Sequence, residues 1–183
     1  MADDSKSKIR TLTTRASGLW NSSHQIYEDG ELLGTLSIRR NGYGMPVSGE
    51  YKPVKGETLL FRRDPGILRS QFSLWTDSRE WLGAALRWSF FARTINISTG
   101  SKPLRLLPLS GFRRGWRLMA PKSGEMARFQ ARPFTKGCEI TIHRRMDFEQ
   151  VLFAYFLGVQ LLAESIWPGP AEQSTSSTVP VAS

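Results

Sequence analysis

Cysteine, histidine and acidic residues are all scarce in this 183-residue sequence. The one cysteine, Cys138, has no partner for an internal disulfide, so nothing calls for an oxidising compartment. The two histidines, His24 and His143, stand far apart. With only Cys138 near it in sequence, His143 lacks the clustered ligands of a structural metal site, and no cofactor is expected. No apolar run of a secretory signal occupies the N-terminus, which makes a cytoplasmic location the default expectation, with membrane association as its extension. P-loop, dinucleotide, nucleophile-elbow and HExxH patterns are missing too. Ser70, Ser73 and Asp77 lie near one another, but nothing marks them as a catalytic set. The expectation is a protein that is not an enzyme.

What remains is basic, apolar in alternation and rich in turns. Lys and Arg number 25 against 16 Asp and Glu, a net charge of +9 carried mostly by arginine. Such a surface favours anionic partners: phospholipid headgroups, nucleic acid or an acidic protein. A solvated surface that aids solubility is the plainer explanation.

From residue 24 onward the chain reads as short strands with turns between them. Asp29-Gly30 is a hairpin signal, followed by residues 32–40 with Leu32, Gly34, Leu36 and Ile38 on one side. Residues 41–56, rich in Gly and Pro, read as a loop. Residues 57–63 and 67–76 flank the turn at Asp64-Pro65-Gly66. Residues 80–99 are long enough for two strands, although Trp81, Leu82, Ala85, Leu86 and Trp88 fit a helix equally well. Residues 104–109, 112–119, 125–132 and 138–144 complete the series, the last with Cys138, Ile140 and Ile142 on one face. Glycines at 34, 83 and 115 fall along these strands, where they relieve crowding at a bend or bulge and help a sheet close. Residues 1–21 show no periodicity and residues 169–183 are Ser/Thr-rich; both read as weakly ordered tails around a single domain at 22–168.

Residues 148–167 form the one long apolar segment. Asp147 is placed to cap it, Gln150 follows three residues on, and Pro168-Gly169-Pro170 ends it. Phe148, Val151, Leu152, Phe153, Tyr155, Phe156, Val159 and Leu162 leave it almost no polar face. Such a helix is enclosed by protein or lies in lipid. Its length of roughly 30 Å just suffices for a bilayer, but Gln160 and Glu164 would be costly there. Enclosure by protein is the expectation.

Many short antiparallel strands ending in one apolar helix resemble the tubby C-terminal-like superfamily, which includes phospholipid scramblases and the LURP-one-related proteins. The nearest local likeness runs through Gly115-Trp116-Arg117-Leu118-Met119, the turn at Pro121-Lys122-Ser123-Gly124, residues 125–131 and 138–143, and Asp147. The resemblance spans residues 24–167 as a pattern. It implies a mainly β fold, an antiparallel closed barrel-like sheet enclosing the hydrophobic C-terminal α-helix. The chain departs from eukaryotic scramblases in lacking an acidic calcium-binding cluster and a cysteine-rich palmitoylation run. No phosphoinositide-contacting residue of the tubby domains can be carried over by position.

Four arginine pairs stand at the expected strand ends: Arg39-Arg40, Arg62-Arg63, Arg113-Arg114 and Arg144-Arg145. Neighbours in a strand point to opposite faces, so each pair sends one guanidinium outward and one toward a rim. If two or three pairs meet at one end of a barrel, they form an anion site suited to lipid phosphate. Charges also flank apolar strands simply as gatekeepers. Trp75, Trp81, Trp88, Trp116 and Trp167, interspersed with arginine, suit a membrane interface, base stacking or a core. The expected function is a non-catalytic module binding an anionic phospholipid membrane surface through an arginine-rich face. The alternatives are a membrane-integrated scramblase-like or tail-anchored protein, or a basic domain binding nucleic acid or a protein partner.

Overall fold

The computed structural model describes residues 9–17, 22–42, 46–64, 70–87, 93–100, 102–110, 114–132 and 137–165, without the side chains of 160–165. Among them are twelve strands and one helix. In chain order the strands are β1 (Arg10–Ser17), β2 (Ser22–Glu28), β3 (Glu31–Arg40), β4 (Pro46–Pro53), β5 (Leu59–Asp64) and β6 (Ser70–Thr76). They continue as β7 (Trp81–Arg87), β8 (Ile95–Ser98), β9 (Pro103–Pro108), β10 (Gly115–Ala120), β11 (Gly124–Ala131) and β12 (Gly137–Ile142). The helix α1 is Phe148–Ser165. Every strand pairs antiparallel with its sequence neighbours, and β12 closes on β1 from Arg10↔Ile142 to Arg15↔Gly137. Closure leaves no sheet edge.

Alternation explains the wall. Leu12, Ile26, Leu36, Phe61, Phe72, Leu106 and Phe129 point inward and are fully buried. Arg15, Glu50, Lys52 and Gln130 alternate outward, at positions where a lipid-facing wall carries apolar residues. From Val151 to Leu157 the helix is buried on all sides, each residue at most 2% exposed. Its partners come from all round the barrel. Phe156 packs on Gly49 of β4, Phe61 of β5 and Phe72 of β6. Tyr155 meets Thr14 of β1, His24 of β2 and Trp116 of β10. The helix therefore fills the lumen, and each such side chain contributes on the order of 1.5–3 kcal/mol by leaving water. Among the described residues no helix is long and apolar enough to cross a membrane.

Three expectations need correction. Residues 10–17, read as part of a tail, form the strand that closes the barrel; their inward face is Leu12 and Thr14, and the threonine hides the alternation. The supposed loop at 41–56 contains β4. Its Pro46 and Pro53 bound the strand, and its Gly49 makes room for the Phe156 ring, 3.0 Å from where a Cβ would sit. Leu32 does not share the inward face of Gly34, Leu36 and Ile38. A bulge against Ile26 and Tyr27 turns Leu33 toward the core and leaves Leu32 39% exposed. Residues 80–99 do hold two strands, β7 and β8, and the helical alternative for 80–89 fails over Trp81–Arg87. The expected hairpin at Asp29-Gly30 is present, with φ of 50° and 87°, a pairing of signs that suits a two-residue turn.

Three of the four bulges among the described residues cluster at one end; the fourth, between Arg39 and Arg40 opposite the extra residue Val47, lies at the other. Opposite the shifts at Ile26/Tyr27, Leu74/Trp75 and Leu118/Met119, the extra residues are Leu33, Leu82 and Met126. All three pack into or against the core. This is the end where α1 begins, since Phe148 packs on Tyr51 near the close of β4.

Candidate functional site

The meander decides where the arginine pairs go. β3 and β5 run toward the end opposite the Leu33, Leu82 and Met126 bulges and finish there, and β10 starts there. Arg39-Arg40, Arg62-Arg63 and Arg114 therefore share one rim, joined by Arg87, Arg93 and Arg132, which pairwise spacing did not single out. Arg113 lies outside the described residues. Arg144 and Arg145 follow β12 and sit at the other end, so two of the four pairs stand whole at the arginine end, Arg114 stands there for a third, and the fourth does not.

Within each pair the two side chains differ as strand geometry requires. Arg39 and Arg62 are exposed and outward; Arg40 and Arg63 are half-buried at the rim. Arg63 Nη2 donates to Ser70 Oγ at 3.1 Å. Arg39 lies opposite Ser48, and Ser48 opposite Arg62. Two strand spacings separate the arginines, about 10 Å, so their long side chains can close on one anion above the serine. The side chains of Arg39, Arg62 and Arg114 hold no hydrogen-bond or ion-pair partner among the described residues.

Acidic groups on this half are few. Asp64 accepts from Ser73 Oγ at 3.3 Å, and Glu139 lies 3.5 Å from Arg132. The opposite end carries Glu28, Asp29, Glu31, Glu57, Glu125 and Asp147. There Glu28 binds Arg10 through two bonds of 2.7 and 2.8 Å, and Glu125 binds Arg128 at 2.7 and 3.0 Å. The Arg128 bond, aided by nearby His143 and Arg117, holds the Glu125 carboxyl below the usual range. His143 Nε2 is 3.3 Å from that carboxylate.

A buried polar run ties the helix to the barrel wall. Cys138 N–H donates to Thr14 Oγ1 at 2.9 Å, Thr14 Oγ1 lies 3.0 Å from the Tyr155 hydroxyl, and that hydroxyl is 2.8 Å from His24 Nδ1. His24 Nε2 in turn meets Ser22 Oγ at 2.9 Å. Burial, with a smaller contribution from the Arg40 charge, lowers the His24 pKa to about 4, so the ring is neutral at pH 7. Burial raises the Tyr155 hydroxyl, and pushes the Cys138 thiol up to about 12. A protonated, enclosed thiol is unreactive. The Ser22–His24 pair sits in the core, and its role is to anchor Tyr155. No group of three His, Cys, Asp or Glu among the described residues is placed to hold a metal.

The tryptophans divide. Trp116 belongs to the core, stacked on Phe129 with centroids 5.4 Å apart. Trp81 is 44% exposed, and Trp75 is half-buried opposite it. Trp88, Trp167 and the Leu162 side chain lie outside the described residues. The remaining helix candidates, Phe148, Val151, Leu152, Phe153, Tyr155, Phe156 and Val159, all lie in or against the core. Strand-end position, rather than adjacency in a pair, is the signal that would have found Arg87, Arg93 and Arg132. Comparisons with protein-family models, curated proteins and solved structures return no match.

Proposed function

We propose that this protein is a non-catalytic module that docks on anionic phospholipid surfaces through the arginine end of its barrel, in the manner of a tubby-like domain. The observation that carries the reading is the common rim of Arg39 on β3, Arg62 on β5 and Arg114 just before β10, whose side chains are exposed and unpaired among the described residues. Guanidinium groups grip phosphate oxygens bidentately. Each basic residue at an anionic leaflet adds about 1 kcal/mol, so a rim of several gives useful affinity without a deep pocket. Peripheral docking is favoured over membrane integration because the one apolar helix is spent inside the barrel.

Vesicle sedimentation tests the reading. Binding should rise with the fraction of phosphatidylserine in phosphatidylcholine vesicles and fall steeply as salt is raised. Equal binding to neutral vesicles removes the electrostatic basis. Tight binding to mixed oligonucleotides with none to vesicles transfers the rim to nucleic-acid phosphate.

A further inference from the structure

The end away from the arginine rim holds a cavity that membrane docking does not use. It opens between the barrel mouth and the first turn of α1, with a volume of about 750 Å³, inside the range of roughly 300–1,000 Å³ usual for small-molecule sites. The bulges build its wall: Leu33 and Leu82, the extra residues opposite two of them, line it together with Leu59, Leu74 and Phe148. Tyr51 forms part of the lining with its ring 5.9 Å from that of Phe148, and the exposed Trp81 stands at the mouth.

Two features mark this space as a site. First, Tyr51 and Thr99 both line it, and both hold buried hydroxyls with no hydrogen-bond partner. Tyr51 is only 2% exposed. Such a group is costly to leave unsatisfied, and something that supplies a partner relieves the cost. Second, the mouth is locally negative in a protein of net charge +9. Glu57, Asp147 and Glu149 line it, against Arg10 and Lys55. Arg10 is neutralised by its two bonds to Glu28, which leaves Lys55 as the one uncompensated cation among the lining residues. Asp147 and Glu149 also complement the helix dipole, but Glu57 lies off the helix and has no such duty. Its Oε1 accepts the Ser78 N–H at 2.8 Å and its carboxyl is held below the usual range by that residue.

Apolar walls, aromatic rings and a carboxylate mouth together select one ligand class. We infer that this cavity binds a small amphipathic amine, an alkyl or aryl ammonium ion. Its apolar body lies against Leu33, Leu82 and Phe148, and its cation sits among Trp81, Glu57 and Glu149. Rings attract ammonium ions through their faces, and the carboxylates add charge selectivity that an amphipathic acid of equal length fails.

Titration calorimetry of the full chain with decylammonium, whose N–H groups can donate to the unpartnered hydroxyls, and with decanoate, each below its micelle concentration, tests the inference. The expected result is saturable one-to-one binding of the ammonium and at least tenfold weaker binding of decanoate. Trp81→Ala and Glu149→Gln, both at the mouth and away from the core, should each weaken the ammonium three- to tenfold with unchanged circular dichroism. Decanoate binding as tightly, no saturable binding, or full affinity in both variants overturns the inference. Phosphocholine binding as tightly as the decyl compound also overturns it, because the apolar wall would then contribute nothing and the cation alone, as on a lipid headgroup, would be read. Failure here leaves the arginine rim untouched, since the two sites are at opposite ends of the barrel.

Discussion

The two ends of the barrel are made of the same strands and differ in almost everything else. One end gathers arginines, has few carboxylates and receives the carboxyl-terminal half of α1. The other carries most of the carboxylates, three of the four bulges and an open cavity, and the helix begins there. The carboxylates gather toward the positive end of the helix dipole and the arginine rim stands toward the negative one, while Arg10, Lys55, Arg79, Lys122, Arg144 and Arg145 share the carboxylate end. That agreement accounts for the inward-facing Arg40, Arg63 and Arg87, since α1 has no basic residue in its own last turn. It does not account for Arg39 and Arg62, which face away from the helix. In the pairs on β3 and β5, the outward arginine is the one available to a partner.

The largest expected effect breaks the axis itself. Phe156→Asp places a lone charge among Phe61, Phe72 and Gly49. It should cost roughly 5 kcal/mol or more and abolish the folded barrel, read as loss of cooperative urea unfolding. Folded Phe156→Asp protein would mean that the helix does not hold the two ends together.

Acid should act next, on the arginine half of the lumen. His24 titrates near 4 when folded against an ordinary value of 6.5. Between those values the unfolded chain binds the extra proton, so its contribution is fully present above 6.5 and is lost as pH falls toward 4. The loss amounts to roughly 3 kcal/mol. Urea titrations from pH 7.5 to 4 should show it, and His24→Gln should flatten that part of the profile. An unchanged slope in the variant would assign acid sensitivity to the carboxylate end instead.

Packing sharpens the contrast further. A Cβ on Gly158 would land on the Trp116 indole, whereas Leu33 borders open space. Gly158→Ala should therefore destabilise by about 1–3 kcal/mol, although the same change in an open helix gains about 1 kcal/mol. Leu33→Phe should cost less than about 1 kcal/mol. Thermal unfolding of the two variants decides it; equal costs would mean that the ends are packed alike. The smallest effect belongs to the ion pair at the carboxylate end. Arg10→Ala should cost under about 1 kcal/mol, because Arg10 is 42% exposed and solvent screens the bond.

Much of this architecture could be read from the chain. Period-two alternation marks β3, β6, β11 and β12, and the all-round apolar surface of residues 148–159 demands enclosure. What escaped reading did so for definite reasons. Thr14 breaks the alternation of β1 because its inward partner is a tyrosine hydroxyl rather than an apolar side chain. Gly49 looks like loop composition, yet it makes space for a ring that arrives from over a hundred residues away. Bulges at Leu33 and Leu82 invert the inside-outside order over single residues, and a strict period-two reading follows the wrong leucine. The pairing of arginines was visible; which pairs share a rim depends on strand direction, and so on the count of strands including β1 and β4. The cavity left no trace in the sequence, since Tyr51, Thr99 and Trp81 come from three separate segments.

The most direct test of the central claim holds net charge constant. Arg39→Glu/Arg62→Glu and Arg144→Glu/Arg145→Glu change the charge equally, at opposite ends of the barrel. Their binding to phosphatidylserine vesicles should be compared at one salt concentration. The first double variant should lose at least tenfold in affinity while the second stays within about twofold of the parent. Equal losses would mean that overall charge, and not the arginine rim, draws the protein to the membrane.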